Sequence, residues 1–326
     1  MRKTRILAHF IRSTLLVWIG GIINVGCKTT QPNFEWEEPQ TIQLTQVYIP
    51  HSVTDSMRSF YREHKKPVLD KVVREERWLN KERKSFFVND AGKFVNALNQ
   101  ILDRTDEGEG LRIYLGSYET QKFSAFDDRN VKIPREKLVL IFAPTREIYD
   151  ASEKREKYPD KGKYWLLADK NDRFVEVDEQ VVRKLIDAYR TKKKEKLNKT
   201  LSEHDLSQKI YETHSVLYKP NTIRTIVDEI CYQVDSNPNK KLGVKIIPVS
   251  YNDKDLTVKK YGMSYLLSRR LTLHFAFTNA AGKQLDMAKF DRDRYGEIHN
   301  SLIKSTVISA WDTGDPTPPF PDDGIK

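Results

Sequence analysis

Two stretches of this chain are near copies of each other, and their spacing constrains the fold more than any other feature. Gly110–Tyr118 reads GLRIYLGSY and Lys137–Thr145 reads KLVLIFAPT. At a constant offset of 133, Gly243–Tyr251 reads GVKIIPVSY and Arg270–Thr278 reads RLTLHFAFT, with nine of the eighteen aligned positions identical. Ordinary composition would give about one identity by chance. An internal duplication of a strand pair is the reading that follows.

Each copy is preceded by an amphipathic helix pattern. Phe94, Ala97, Leu98, Ile101 and Leu102 form one apolar stripe, and Ile223, Ile226, Val227, Ile230, Cys231 and Val234 form the other. Both follow the helical spacing i, i+3, i+4, i+7. Asn89 or Asp90 is placed to cap the first helix, and Asn221 or Thr222, after Pro220, the second. The strands alternate with a period of two. That puts Leu111, Ile113, Leu115, Leu138, Leu140 and Phe142 on one core face, with Val244, Ile246, Pro248, Leu271, Leu273 and Phe275 as counterparts. The fold class expected is α+β: two tandem helix–strand–strand repeats, each a small antiparallel sheet with helices on one face.

A further helix precedes each unit, marked by Val53, Met57, Phe60 and Tyr61 and by Val181, Val182, Leu185, Ile186 and Tyr189. Here the offset is 128, through Ser59-Phe60-Tyr61-Arg62 and Asp187-Ala188-Tyr189-Arg190. The pattern also predicts a hairpin of Tyr164–Ala168 with Phe174–Val177, a strand at Gln284–Met287, and a short helix through Tyr295, Ile298 and Leu302. Two connectors of equal length, 119–136 and 252–269, link the paired strands. Long ordered loops of this kind are often functional.

The N-terminus carries Arg2, Lys3, Arg5 and Arg12 without an acid, then an apolar stretch, then Val25-Gly26-Cys27. This is the layout of a bacterial secretory signal. The triplet resembles the lipobox of bacterial lipoproteins, in which the cysteine is acylated and becomes the first residue. Asn24 departs from the apolar residue that pattern places there. A single membrane span and a merely cleaved signal are the rivals; Arg12 interrupts any window of about 20 apolar residues, which a span needs. The organisation read from this is a signal peptide at 1–26, a tether at 27–40, repeat halves at 41–177 and 178–310, and a proline-rich tail at 311–326. Lipidation of Cys27 leaves only Cys231, so no intrachain disulfide can form.

Charge argues against a nucleic-acid partner. The formal net charge is +10, and losing the four basic residues before Cys27 takes it to +6. The cations are scattered among acids instead of forming the basic face such binding needs. No catalytic set survives inspection. Asp312-Thr313-Gly314 matches the triplet of aspartic proteases, but that chemistry needs two carboxylates sharing a proton, and there is no second triplet. The histidines lack zinc-ligand spacing, and neither Asp253 with Asp255 nor Asp291 with Asp293 continues into a calcium loop. Neither a metal nor a cofactor is indicated.

The strands GLRIYLGSY and KLVLIFAPT, with the tail WDTGDPTPPFPDD, together resemble a family of uncharacterised lipoproteins from the Bacteroidota. Members often carry cysteines around the Pro-Pro pair, whereas Pro318-Pro319 has none. The resemblance implies an envelope location and no activity.

The functional expectation is an exported lipoprotein of the bacterial cell envelope, anchored through Cys27 and acting as a non-enzymatic binding or structural module. The alternatives are an envelope hydrolase with its site in one repeat and an accessory subunit of an envelope complex. If a protein or small ligand binds, the face opposite the core is the candidate: Arg112, Tyr114 and Tyr118, with Lys245, Tyr251 and His274. Cations and aromatics two apart on a strand project together, which suits a stacking or anionic ligand. The competing reading makes these residues scaffold.

Overall fold

The computed structural model describes residues 48–72, 85–103, 105–117, 137–167, 174–201, 212–251, 269–290, 308–311 and 315–317. Cys27, Tyr118, the connectors, the triplet at Asp312 and the helix expected near Ile298 lie outside them.

Strand β1 (Tyr48–Pro50) runs directly into α1 (His51–Phe60). The helix does not stop there. It widens into a π turn at Tyr61–Lys65, closed by the Lys66 N–H on the Tyr61 carbonyl, and continues as α2 (Lys66–Val72). After β2 (Phe86–Val88), Asp90 opens α3 (Ala91–Ile101) by accepting from the Lys93 N–H at 3.0 Å. That bond satisfies one of the orphan donors of the first turn.

The repeat strands β3 (Glu109–Ser117) and β4 (Leu138–Arg146) pair antiparallel along their whole length. A small hairpin, β5 (Ile148–Asp150) with β6 (Arg155–Lys157), follows, then the expected hairpin of β7 (Tyr164–Leu167) and β8 (Phe174–Val177). The helix α4 (Glu179–Tyr189) also widens into a π turn, Arg190–Lys194, before α5 (Glu195–Asn198). The basic run at 192–196 therefore spans the end of the π turn and the start of α5.

Strand β9 (Ser215–Tyr218) leads into α6 (Pro220–Ser236). Neither expected cap is used in α6. Pro220 takes the first helical position, where its missing N–H costs nothing, and Lys219 stands before it without a side-chain cap. The second repeat pair is β10 (Leu242–Ser250) and β11 (Leu271–Asn279). Glu109 faces Arg146 and Leu242 faces Asn279, so both the bounds and the register of the two pairs correspond at the offset of 133. No strand forms at Gln284–Met287: Gln284 makes a single bridge to Thr278, and the chain turns into α7 (Met287–Phe290). The proline-rich tail is not merely a tail. Strand β12 (Ile308–Trp311) ends on the tail's first residue, and β13 (Asp315–Thr317) lies within it.

The strands form two large sheets, in the orders β1-β12-β11-β10-β2 and β13-β9-β3-β4-β7-β8. The halves of the sequence are thus interleaved. Each short strand that enters a repeat helix pairs with the hairpin of the other half: β2 with β10, and β9 with β3. Helices α3 and α6 cross from one sheet to the other and pack together. The repeat's leading glycines follow from this exchange. A Cβ on Gly110 would sit 2.8 Å from the Tyr218 carbonyl oxygen, and one on Gly243 would sit 2.7 Å from that of Val88. Those carbonyls belong to the exchanged strands, so glycine is required where each crosses.

The core parity is as read from the sequence. Leu111, Ile113 and Leu140 of one sheet, Val244, Ile246 and Leu273 of the other, and the stripes of α3 and α6 make one apolar cluster. The opposite faces are not open. Helix α4 covers one, burying Tyr114, Val139 and Ile141, and α1 covers the other, burying Ile247, Val249 and Tyr251. The expectation of helices on a single face is corrected here. The helices marked by Val53 and Val182 supply the second layer, because their own apolar stripes need a sheet to cover.

Candidate functional site

Of the six residues singled out on the strands, the five that are described do not converge. Arg112 and Tyr114 belong to one sheet, Lys245 and His274 to the other, and Tyr251 follows β10. Arg112, Tyr114 and His274 are fully buried and Tyr251 nearly so. Only Lys245 is partly exposed, and its ammonium donates to the Gly282 carbonyl. Burial pushes Lys245 below its usual range, with Arg58 adding to the push.

Around Arg112 the arrangement is a closed polar clamp. The guanidinium donates to the Tyr158 carbonyl at 2.8 Å, and its Nε lies 3.2 Å from Asp160 Oδ1. The Tyr114 hydroxyl donates to the other Asp160 oxygen. Burial, then the Asp160 and Glu179 carboxylates, pushes the Tyr164 phenol well up. Asp160 also bridges Thr145 through the backbone. Its counterpart in the other sheet is Gln284, which bridges Thr278 through the backbone and whose own side-chain oxygen accepts from Arg58 of α1. These contacts strap the segment after each hairpin onto its sheet, which is structural work.

A different group of charges does converge. Lys65, at the end of the first π turn, reaches the Glu212 carboxylate at 2.5 Å, and both side chains are fully buried. The same ammonium donates to the Thr200 hydroxyl. Burial pushes Lys65 below its usual range, against the pull of Glu212 and with Arg270 and Arg269 adding to the push. The other Glu212 oxygen accepts from the N–H groups of Thr213 at 2.9 Å and Leu271 at 2.8 Å. Its own N–H donates to Asn198 at 2.8 Å. Two residues on, the His214 carbonyl accepts from the Leu115 N–H at 2.9 Å, and the Tyr189 hydroxyl donates to the Thr213 carbonyl at 2.8 Å. Lys194 Nζ lies 3.3 Å from His214 Nδ1.

This short segment, Glu212–His214, therefore touches β3 at Leu115, near its C-terminal end, and the first residue of β11. Those are the necks of the two connectors. On the β10 side, Ser250 donates to the carbonyls of Arg269 and Arg270, and Tyr251 and Arg269 close the neck by backbone bonds. The strands that flank both connectors are thus joined through the segment that carries Glu212. A perturbed buried amine beside a specific carboxylate occurs at functional sites and in structural ion-pair networks alike. Among the described residues there is no group of three or more His, Cys, Asp or Glu side chains that could hold a metal ion. Nor is any helix among them long and apolar enough to cross a membrane.

Sequence reasoning did not find Lys65 or Glu212. The available signal was the second short repeat: Tyr61-Arg62 leads to Lys65 as Tyr189-Arg190 leads to Lys193, at an offset of 128, and Lys193 is also fully buried. No family model, no curated protein and no solved structure matches the chain.

Proposed function

We propose that this chain is a bacterial envelope lipoprotein, tethered through Cys27, whose folded body is a non-enzymatic binding module. Recognition is assigned to the end of the body where the two connectors emerge. The observation that carries this is the Glu212–His214 segment, which joins both connector necks to one buried ion pair. Both faces of each sheet are occupied by helices, so the loop end is where a partner has access. Surface connectors on a rigid scaffold are a common place for recognition.

Two experiments test the proposal. Replacing the connector residues 119–136 and 252–268 with short Gly-Ser turns should leave the melting temperature nearly unchanged and remove crosslinked partners in intact cells. Loss of folding together with binding would place these segments in the scaffold, and undiminished crosslinking would move recognition elsewhere. Separately, Cys27→Ala should release the protein from membranes or block its processing. Retention that resists salt and alkali would show an uncleaved helix as the anchor.

A further inference from the structure

A second feature lies at a different place in the fold. A cleft of about 520 Å³ opens between the start of α3 and the end of α6, with Asp90, Gly92 and Lys93 on one side and Lys240 and Lys241 on the other. We propose that this cleft binds a small polyanion, whose phosphate or carboxylate groups are shared among Lys93, Lys240 and Lys241. The cleft is separate from the connector end, and the proposal goes beyond the reading given for that end.

Four observations carry it. The volume falls in the range of small-molecule sites, about 300–1,000 Å³. Three lysines and one aspartate line it, and the aspartate is engaged: Asp90 accepts from the Lys93 N–H at 3.0 Å and lies 4.0 Å from its ammonium. Lys240 is held in place, with its ammonium 4.1 Å from the centre of the Phe290 ring. Gly92 keeps the floor open. A Cβ there would lie 3.3 Å from the Asp90 carboxylate and 3.7 Å from the Val234 side chain, and its backbone is not in the left-handed region that would demand glycine. A glycine in a helix is less stable than an alanine, so its presence favours space over stability.

The other half of the chain provides the control. Applying the offset of 133, the places of Lys240, Lys241 and Ala280 are taken by Glu107, Gly108 and Glu147. The scaffold therefore does not require cations at this turn, since it is built there with acids. Polyanion binding would explain why one copy is basic. Shared lysines suit it, because each ammonium is a point charge with three donors and accepts varied anion geometry.

The test is calorimetric titration of the full chain, in detergent, with pyrophosphate and in parallel with citrate. Saturable binding of either, at about 1 mM or tighter, is expected. Lys240→Ser with Lys241→Ser should weaken it by about tenfold or more. Gly92→Val should weaken it comparably while leaving all three lysines in place, and Gly92→Ala serves if the valine variant melts early. Lys192→Ser with Lys196→Ser, away from the cleft, should change nothing. The proposal is overturned if the unaltered chain shows no saturable binding, if filling the cleft has no effect, or if the distant lysines matter equally. None of these variants touches the connectors or Cys27, so this site and the envelope reading can fail independently.

Discussion

Glu212→Ala should destabilise the protein by roughly 3–5 kcal/mol, the range for removing one partner of a buried ion pair. The loss has two sources. The Lys65 ammonium would stay in a site with no solvent exposure and no carboxylate, and the N–H groups of Thr213 and Leu271 would lose their acceptor. Removing both charges together should cost much less than the sum, because isosteric apolar replacement of a buried pair is often close to neutral. Lys65→Met combined with Glu212→Gln is the variant to compare, since the amide still accepts from Leu271. Urea denaturation of Lys65→Met, of Glu212→Gln and of the double gives the coupling. A single-variant loss below about 1 kcal/mol would place the pair in the class of solvated surface bridges.

The pH dependence of Glu212→Ala has a definite sign. Burial already holds Lys65 below its usual range, and only the carboxylate opposes it. With that removed, the folded state binds its proton less tightly than the unfolded chain, whose lysine titrates near about 10.4. The unfolded state then carries more protons between the lowered folded value and the unfolded one. Stability of the variant therefore rises as pH rises through that window.

Much of the fold was legible because it rests on short-range periodicity. The stripes at Phe94 and Ile223 became α3 and α6, and the parity of Leu140 and Leu273 placed both in the core. The offset of 133 gave bounds and register that coincide in the two strand pairs. What could not be read was partnership. Whether β2 pairs with its own half or with the other depends on contacts more than 150 residues apart, such as Val88 with Val244. Alternation tells which side chains share a face, but not which strand lies beside it. The same gap explains the candidate face. Tyr114 and His274 were on the side opposite the core, as expected, but the helices that bury them lie elsewhere in sequence. Arg112 reads as a surface cation until Asp160, 48 residues away, is brought beside it. Lys65 was hidden more deeply still, within a run of charges whose periodicity a π turn disrupts by its wider spacing.

Leu140→Ala and Leu273→Ala should each cost roughly 2–5 kcal/mol, the range for truncating a fully buried leucine. Both are mid-strand, both are wholly buried, and both lie in the one apolar cluster that α3 and α6 share with the two sheets. The exchange of β2 and β9 adds a stronger expectation about how the loss appears. Leu140 lies in a sheet that contains β9 from the other half, and Leu273 in a sheet that contains β2. Unfolding either half strips a strand from the sheet of the other, and it also removes the Tyr218 hydroxyl bond to the Leu273 carbonyl, which at 2.6 Å links the two sheets. The body should therefore melt in one cooperative transition, and either substitution should lower the whole of it. Calorimetry reads this directly, through agreement between the calorimetric and van't Hoff enthalpies. Two transitions, with only one displaced by Leu140→Ala, would show that each half holds itself together, and the interleaved topology would then be wrong.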